Sequence, residues 1–163
     1  MSRQFHFDWD AQGDIAATAL ALFAFLDDHA RLVAHMEKPS LMMAGATVKT
    51  STDNGRDQSV GSRIHLQGRW LGIALAVEEA VIEYCPPLRK TWETCVEPQL
   101  LVIGQYRMGF ELTPQTATTR LRVWIAYDLP SKFPQRWFGW ILSGAYARWC
   151  VKQMLRDASR AFS

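Results

Sequence analysis

The stretch LLVIGQYRMGF (100–110) begins as an unbroken apolar run and then alternates. Tyr106, Met108 and Phe110 share one parity, while Gln105, Arg107 and Gly109 share the other. A strand with that pattern has one apolar face and one wet face. The same alternation runs through TRLRVWIAYDL (119–129), which turns Leu121, Val123, Ile125 and Tyr127 inward and leaves Arg120, Arg122 and Trp124 outside. In 88–95 Trp92 is the inward anchor, with Lys90 and Thr94 on its parity. In 60–68 the inward row is Val60, Ile64 and Leu66, and in 41–50 it is Met42, Ala44, Ala46 and Val48. The opening RQFHFDWD (3–10) aligns Phe5, Phe7 and Trp9.

Between the first strand and the rest the period changes to 3.6. Asp14 reads as an N-cap, followed by Ile15, Ala19, Leu22, Phe23 and Leu26 on one helical face. Asp27-Asp28-His29 breaks that helix and starts a short second one to about Met36, stopped by Pro39. Asn54-Gly55 is a hairpin turn, because both central residues accept positive φ. Strands are expected over roughly 41–51, 59–68, 70–84, 88–95, 100–113 and 119–129. They follow one another with short turns and no helix between, which predicts an antiparallel sheet. From about Pro134 to Phe162 there is no proline, and the chain reads as one long helix. The order β-α-α-β6-α, about seven strands in all, is an α+β fold in which a curved sheet wraps around the C-terminal helix.

On a helical wheel Trp137, Trp140, Ser143, Gly144, Ala147, Val151, Met154, Leu155, Ala158 and Phe162 fall on one side. The middle of that face is small, at Ser143, Gly144 and Ala147, so either the sheet approaches closely there or a void remains. On the other side Phe138, Leu142, Ala145 and Trp149 form an apolar stripe, with Arg148, Lys152, Arg156 and Arg160 beyond it. An outward apolar stripe suggests a homodimer contact through Phe138, Leu142 and Trp149.

The chain has 163 residues, 48% of them hydrophobic and 21% charged, which is enough for one domain spanning 1–163 with a sizeable core. A net charge of +2 argues against nucleic acid as a partner. The three cysteines, 85, 95 and 150, have no C-x-x-C spacing and read as reduced structural thiols of a cytoplasmic protein. IAATALALFAFL (15–26) is too short to cross a bilayer, and Asp8, Asp10 and Asp14 ahead of it are wrong for an export signal.

Candidate chemistry is sparse. Asp27-Asp28 reads as capping, and Glu78 and Glu79 point to opposite faces of a strand, so neither is a catalytic pair. His6, His29, His35 and His65 lack metal-ligand spacing. No nucleophile elbow or phosphate loop occurs, and Cys150 reads as packing. The inward polar groups are Trp92, Thr94, Tyr106, Tyr127 and Ser143, suited to orienting a carbonyl or hydroxyl on an apolar ligand, or in Tyr106 or Tyr127 to proton transfer.

The segments ALFAFLDDHARLVAHM, SVGSRIHLQGRWLGIAL, CPPLRKTWET, IGQYRMGFEL and YARWCVKQML, with the element order, resemble the SRPBCC superfamily. That superfamily includes START lipid-transfer domains, birch-pollen-allergen-like proteins and polyketide cyclases. The likeness covers nearly the whole chain and is closest to a bacterial branch of it. It implies a helix-grip fold with a deep apolar cavity between the concave sheet face and the long helix. No catalytic motif transfers from it residue by residue, and the sequence gives no reason to expect a cofactor or a metal. The expectation is a domain that binds or carries a small hydrophobic molecule, such as a lipid, an aromatic or a polyketide-like compound. The candidate wall is Trp92, Tyr106, Met108, Phe110, Val123, Ile125, Tyr127, Trp140, Ser143, Gly144 and Ala147. A polyketide cyclase or aromatase and a protein-interaction module remain as alternatives.

Overall fold

In the computed structural model the described residues are 3–28, 47–52, 58–70, 73–132 and 135–163. They form β1 (Phe7–Ile15), α1 (Ala19–Asp27), β2 (Thr47–Thr52), β3 (Arg63–Trp70), β4 (Ile73–Cys85), β5 (Arg89–Thr94), β6 (Tyr106–Pro114), β7 (Thr119–Tyr127) and α2 (Gln135–Ala161). The strands make one seven-stranded antiparallel sheet in the order β1-β7-β6-β5-β4-β3-β2. The crossover from β1 to β2 puts α1 against the sheet, and α2 packs chiefly on β1 and β7. This is the α+β architecture expected from the pattern and the helix-grip arrangement that the resemblance implies.

Register explains why alternation is a good guide. Leu112, Phe110, Met108 and Tyr106 on β6 lie opposite Leu121, Val123, Ile125 and Tyr127 on β7. Seven of these eight are buried and Met108 is half-buried. Trp92 pairs with Met108, and Lys90 pairs with Phe110. Phe110 receives Phe23 from α1 and Trp92 edge-on, with ring centroids 5.5 and 6.4 Å away. Ile64 on β3 is also buried.

Several expected boundaries move. Asp14 does not cap α1; it lies in β1 opposite Arg120, whose guanidinium binds its carboxylate at 2.8 Å. Thr18 is the cap, and its hydroxyl accepts from the Ala21 amide. The run Leu100–Ile103 is not strand: β6 begins at Tyr106, and Gln99 instead bridges back to Ala76. Val60 is not inward; it sits exposed in the turn that precedes β3. The short second helix, the Asn54-Gly55 turn and the side chains of Met42, Ala44, Ala46 and Val48 lie outside the described residues.

α2 meets the sheet with Ser143, Ala147, Val151, Met154 and Ala158, a stripe at three- and four-residue steps. Trp140, assigned to that face by the wheel, is 74% exposed, and Trp137 is also exposed. The reason is positional. A Cβ on Gly144 would sit 3.9 Å from the Tyr127 hydroxyl, at the very end of β7. Trp140 lies one turn earlier, about 6 Å along the axis, and overhangs the strand ends. Leu142 is exposed and Trp149 is half-buried with its ring 6.1 Å from Tyr146, while the Phe138 side chain is outside the described residues. Arg148, expected on a solvated face, lies with its guanidinium 4.4 Å over the Trp9 ring.

Candidate functional site

Antiparallel pairing lines up a polar row across the concave face. Glu79 on β4 is opposite Ile64 on β3 and Thr94 on β5, and Tyr106 on β6 is opposite Tyr127 on β7. Glu79 is 2% exposed. Its neighbour Glu78 faces outward and pairs with Arg63, as pleating requires. The Tyr106 hydroxyl donates to Glu79 Oε1. Thr94 holds the Tyr106 backbone from the side: its hydroxyl accepts from the Tyr106 amide at 3.1 Å and donates to the Tyr106 carbonyl at 3.3 Å.

α2 places two more polar groups near this pair. Tyr146 and Cys150 are one turn apart on the same side of the helix and close enough to influence each other electrostatically. Burial, then the charge of Glu79, raises the Tyr106 phenol well above its ordinary range. Cys150 beside it, then burial, does the same to Tyr146. Burial pushes the Cys150 thiol up to about 12. These three groups therefore stay protonated and neutral through the physiological range, and Cys150 is a packing thiol with no nucleophilic character.

The walls around the row are apolar. Next to it along the strands come Val81, Trp92, Met108, Ile125 and Trp9, and then Tyr84, Lys90, Phe110 and Val123. The last row contains a second buried polar group. Lys90 reaches Asp27 Oδ1 at 2.7 Å, and the Tyr84 hydroxyl donates to Asp27 Oδ2 at 2.8 Å. α1 thus ends on an ion pair rooted in the sheet floor. The concave face carries a carboxylate and hydroxyls at one end, aromatic and aliphatic surface in the middle, and an ammonium–carboxylate pair at the other.

Of the expected wall residues, Trp92, Tyr106, Phe110, Val123, Ile125, Tyr127, Ser143 and Ala147 are brought together as buried side chains, with Met108 and Gly144 half-buried beside them. Trp140 is not among them. Glu79, Asp27, Tyr84, Tyr146 and Cys150 are the polar members that alternation alone did not supply. Lys90 was on the inward parity, and its burial follows from that parity together with Asp27. Glu79 could have been found from Val77-x-Glu79-x-Val81, where a carboxylate sits between two buried valines. The β4 register shift between Val81 and Glu83 moves Tyr84, not Glu83, opposite Lys90. Among the described residues no group of three or more His, Cys, Asp or Glu is placed to hold a metal, and no helix is long and apolar enough to cross a membrane.

No protein-family model and no curated protein sequence matches this chain. Solved structures do. A Thermus thermophilus protein superposes with a TM-score of 0.63 at 14% identity, covering 94% of both chains. A Chromobacterium violaceum protein gives 0.64 at 15% identity, covering 95% of this chain and 96% of that one. Ginseng major latex-like protein 151 from Panax ginseng gives 0.59 at 12% identity, covering 96% and 97%. At such identities the likeness is one of fold, and it agrees with the helix-grip topology traced above.

Proposed function

We propose that this protein binds a small, mostly apolar molecule between the concave sheet face and α2. The observation that carries this reading is the polar group of buried Glu79 and Tyr106 with half-buried Tyr146 and Cys150, set in a wall of aromatic and aliphatic side chains. Small-molecule sites combine those two features: apolar surface supplies affinity, and a few fixed polar atoms supply orientation. Burying ligand surface against Trp92, Met108 and Ile125 contributes about 25 cal/mol per Å² before ordering costs. The helix-grip fold places such a wall opposite a long helix that meets mainly the β1–β7 side of the sheet.

The test is a titration of the purified full chain with the neutral fluorescent probe N-phenyl-1-naphthylamine, alongside a native mass spectrum of freshly purified protein. A saturable one-to-one fluorescence rise, reversed by a long-chain alcohol, supports the reading. Failure of the folded protein to take up the probe, with no retained mass, overturns it.

A second reading is favoured by one specific contact. The Tyr106–Glu79 hydrogen bond couples a hydroxyl to a carboxylate beside an apolar wall, which is the equipment of an acid–base enzyme such as a polyketide cyclase or aromatase. A carrier returns its ligand with unchanged mass; an enzyme of this kind returns a dehydrated or cyclised product.

A further inference from the structure

We infer that the Tyr106–Glu79 pair makes this site selective for apolar molecules that carry a free hydroxyl group, such as phenols and lipid-like alcohols, over the same skeletons bearing an ether or a carboxylate. The inference rests on the binding reading above. It follows from the direction of one hydrogen bond.

A phenol has one proton to donate and two lone pairs with which to accept. The Tyr106 proton is committed to Glu79 Oε1. What Tyr106 offers to anything else is therefore an acceptor oxygen. Thr94 fixes the Tyr106 backbone through both its amide and its carbonyl, and the carboxylate oxygen that faces the phenol accepts, which sets the direction of the bond. Because burial and Glu79 both hold Tyr106 in its protonated form, the donor role toward Glu79 persists across the neutral range.

A ligand hydroxyl completes a chain in which ligand donates to Tyr106 and Tyr106 donates to Glu79. Each bond polarises the next, and the chain ends on a carboxylate, the strongest acceptor a side chain provides. The methyl ether of the same skeleton is larger by one methylene and has no proton to give, so at Tyr106 it sets two acceptors against each other. A carboxylate ligand brings a second negative charge beside Glu79 in a poorly solvated interior. At the other end of the face the Lys90 ammonium is already held by Asp27, so an anionic ligand would have to displace that partner. Sites that satisfy a hydroxyl in this way discriminate strongly against analogues that lack it.

The experiment measures affinities of 2-naphthol, 2-methoxynaphthalene and 2-naphthoate for the full chain at neutral pH, by displacement of the neutral probe N-phenyl-1-naphthylamine. The expected order places the naphthol about tenfold above the ether. The naphthoate is expected to be the weakest. In Tyr106→Phe the naphthol-to-ether ratio falls to near one while ether binding persists. In Glu79→Gln, whose neutral amide oxygen is a weaker acceptor, the ratio falls several-fold. That variant carries the test if Tyr106→Phe does not fold. Equal binding of naphthol and ether by the wild type, or tightest binding of the naphthoate, overturns the inference while leaving the pocket standing. If the folded protein takes up neither the fluorescent probe nor any naphthalene, the pocket itself is refuted and the selectivity falls with it.

Discussion

Lys90 on β5 and Asp27 at the end of α1 meet at 2.7 Å although 63 residues separate them. The lysine side chain is 0% exposed, and Tyr84 donates to the other carboxylate oxygen. Removing one member of such a pair strands the other charge in a medium that solvates it poorly. Lys90→Met is therefore expected to lower unfolding free energy by about 3–5 kcal/mol in urea denaturation. Replacing both partners, as Lys90→Met with Asp27→Leu, is expected to recover most of that loss. A single-variant cost under about 1 kcal/mol, the range of an exposed pair, would show that water reaches this site.

The cysteines offer a chemical check on the burial pattern. Cys85 is exposed, Cys95 is exposed with its thiol raised by partial burial and then by Glu78, and Cys150 is pushed up to about 12. In native protein a thiol reagent at mildly alkaline pH should modify Cys85 first, Cys95 more slowly, and Cys150 only on unfolding. The linkage sign follows from the raised value. Folding favours the protonated Cys150 thiol, so its contribution is intact below the ordinary thiol value of 9.0 and is lost as pH climbs towards about 12. Cys150→Ala should flatten part of that alkaline loss in denaturation curves. The rest belongs to Tyr106 and Tyr146, which shift in the same direction at higher pH.

Gly109 interrupts a strand that otherwise favours large side chains. A Cβ there would lie 2.8 Å from the Lys90 carbonyl and 3.0 Å from both the Thr91 hydroxyl and the Trp124 ring. On the outer face, then, Trp124 covers the backbone where β5 and β6 come closest. Gly109→Ala should destabilise by about 1–3 kcal/mol through overpacking, even though alanine has the better backbone entropy. An unchanged denaturation midpoint would mean that the Lys90 backbone and the Trp124 ring both give way freely.

The sheet was legible wherever a strand alternated without a bulge. Leu121 through Tyr127 and Trp92 with its neighbours fell where parity put them. What failed depended on partners distant in sequence. Asp14 looks like a helix cap until Arg120, 106 residues away, is brought across from it. Glu79 reads only as the opposite-face neighbour of Glu78 until the register sets it beside Tyr106. Leu100–Ile103 looks like strand by apolarity alone, yet it forms the loop that buries Ile103 against the core. A helical wheel gives the angle of a residue and not its position along the sheet, so it could not say where α2 runs past the strand ends.

That last point yields a prediction about Trp140. By angle it belongs with Ala147, only about 20° away on the wheel. By position it overhangs the end of β7 and is 74% exposed. Exposed substitutions away from special backbone features usually change stability by no more than about 0.5 kcal/mol. Trp140→Ala should therefore leave both the denaturation midpoint and the affinity for N-phenyl-1-naphthylamine as they are. Ala147→Met is the contrast. Ala147 is fully buried where α2 meets the sheet, so a longer side chain must either strain the packing or occupy the space assigned to ligand. If that space exists, Ala147→Met keeps most of its stability and loses probe affinity. If sheet and helix are in tight contact there, it loses stability by about 1–3 kcal/mol instead. The reverse pattern, a probe site abolished by Trp140→Ala and indifferent to Ala147→Met, would place binding on the surface of α2 and not beneath it.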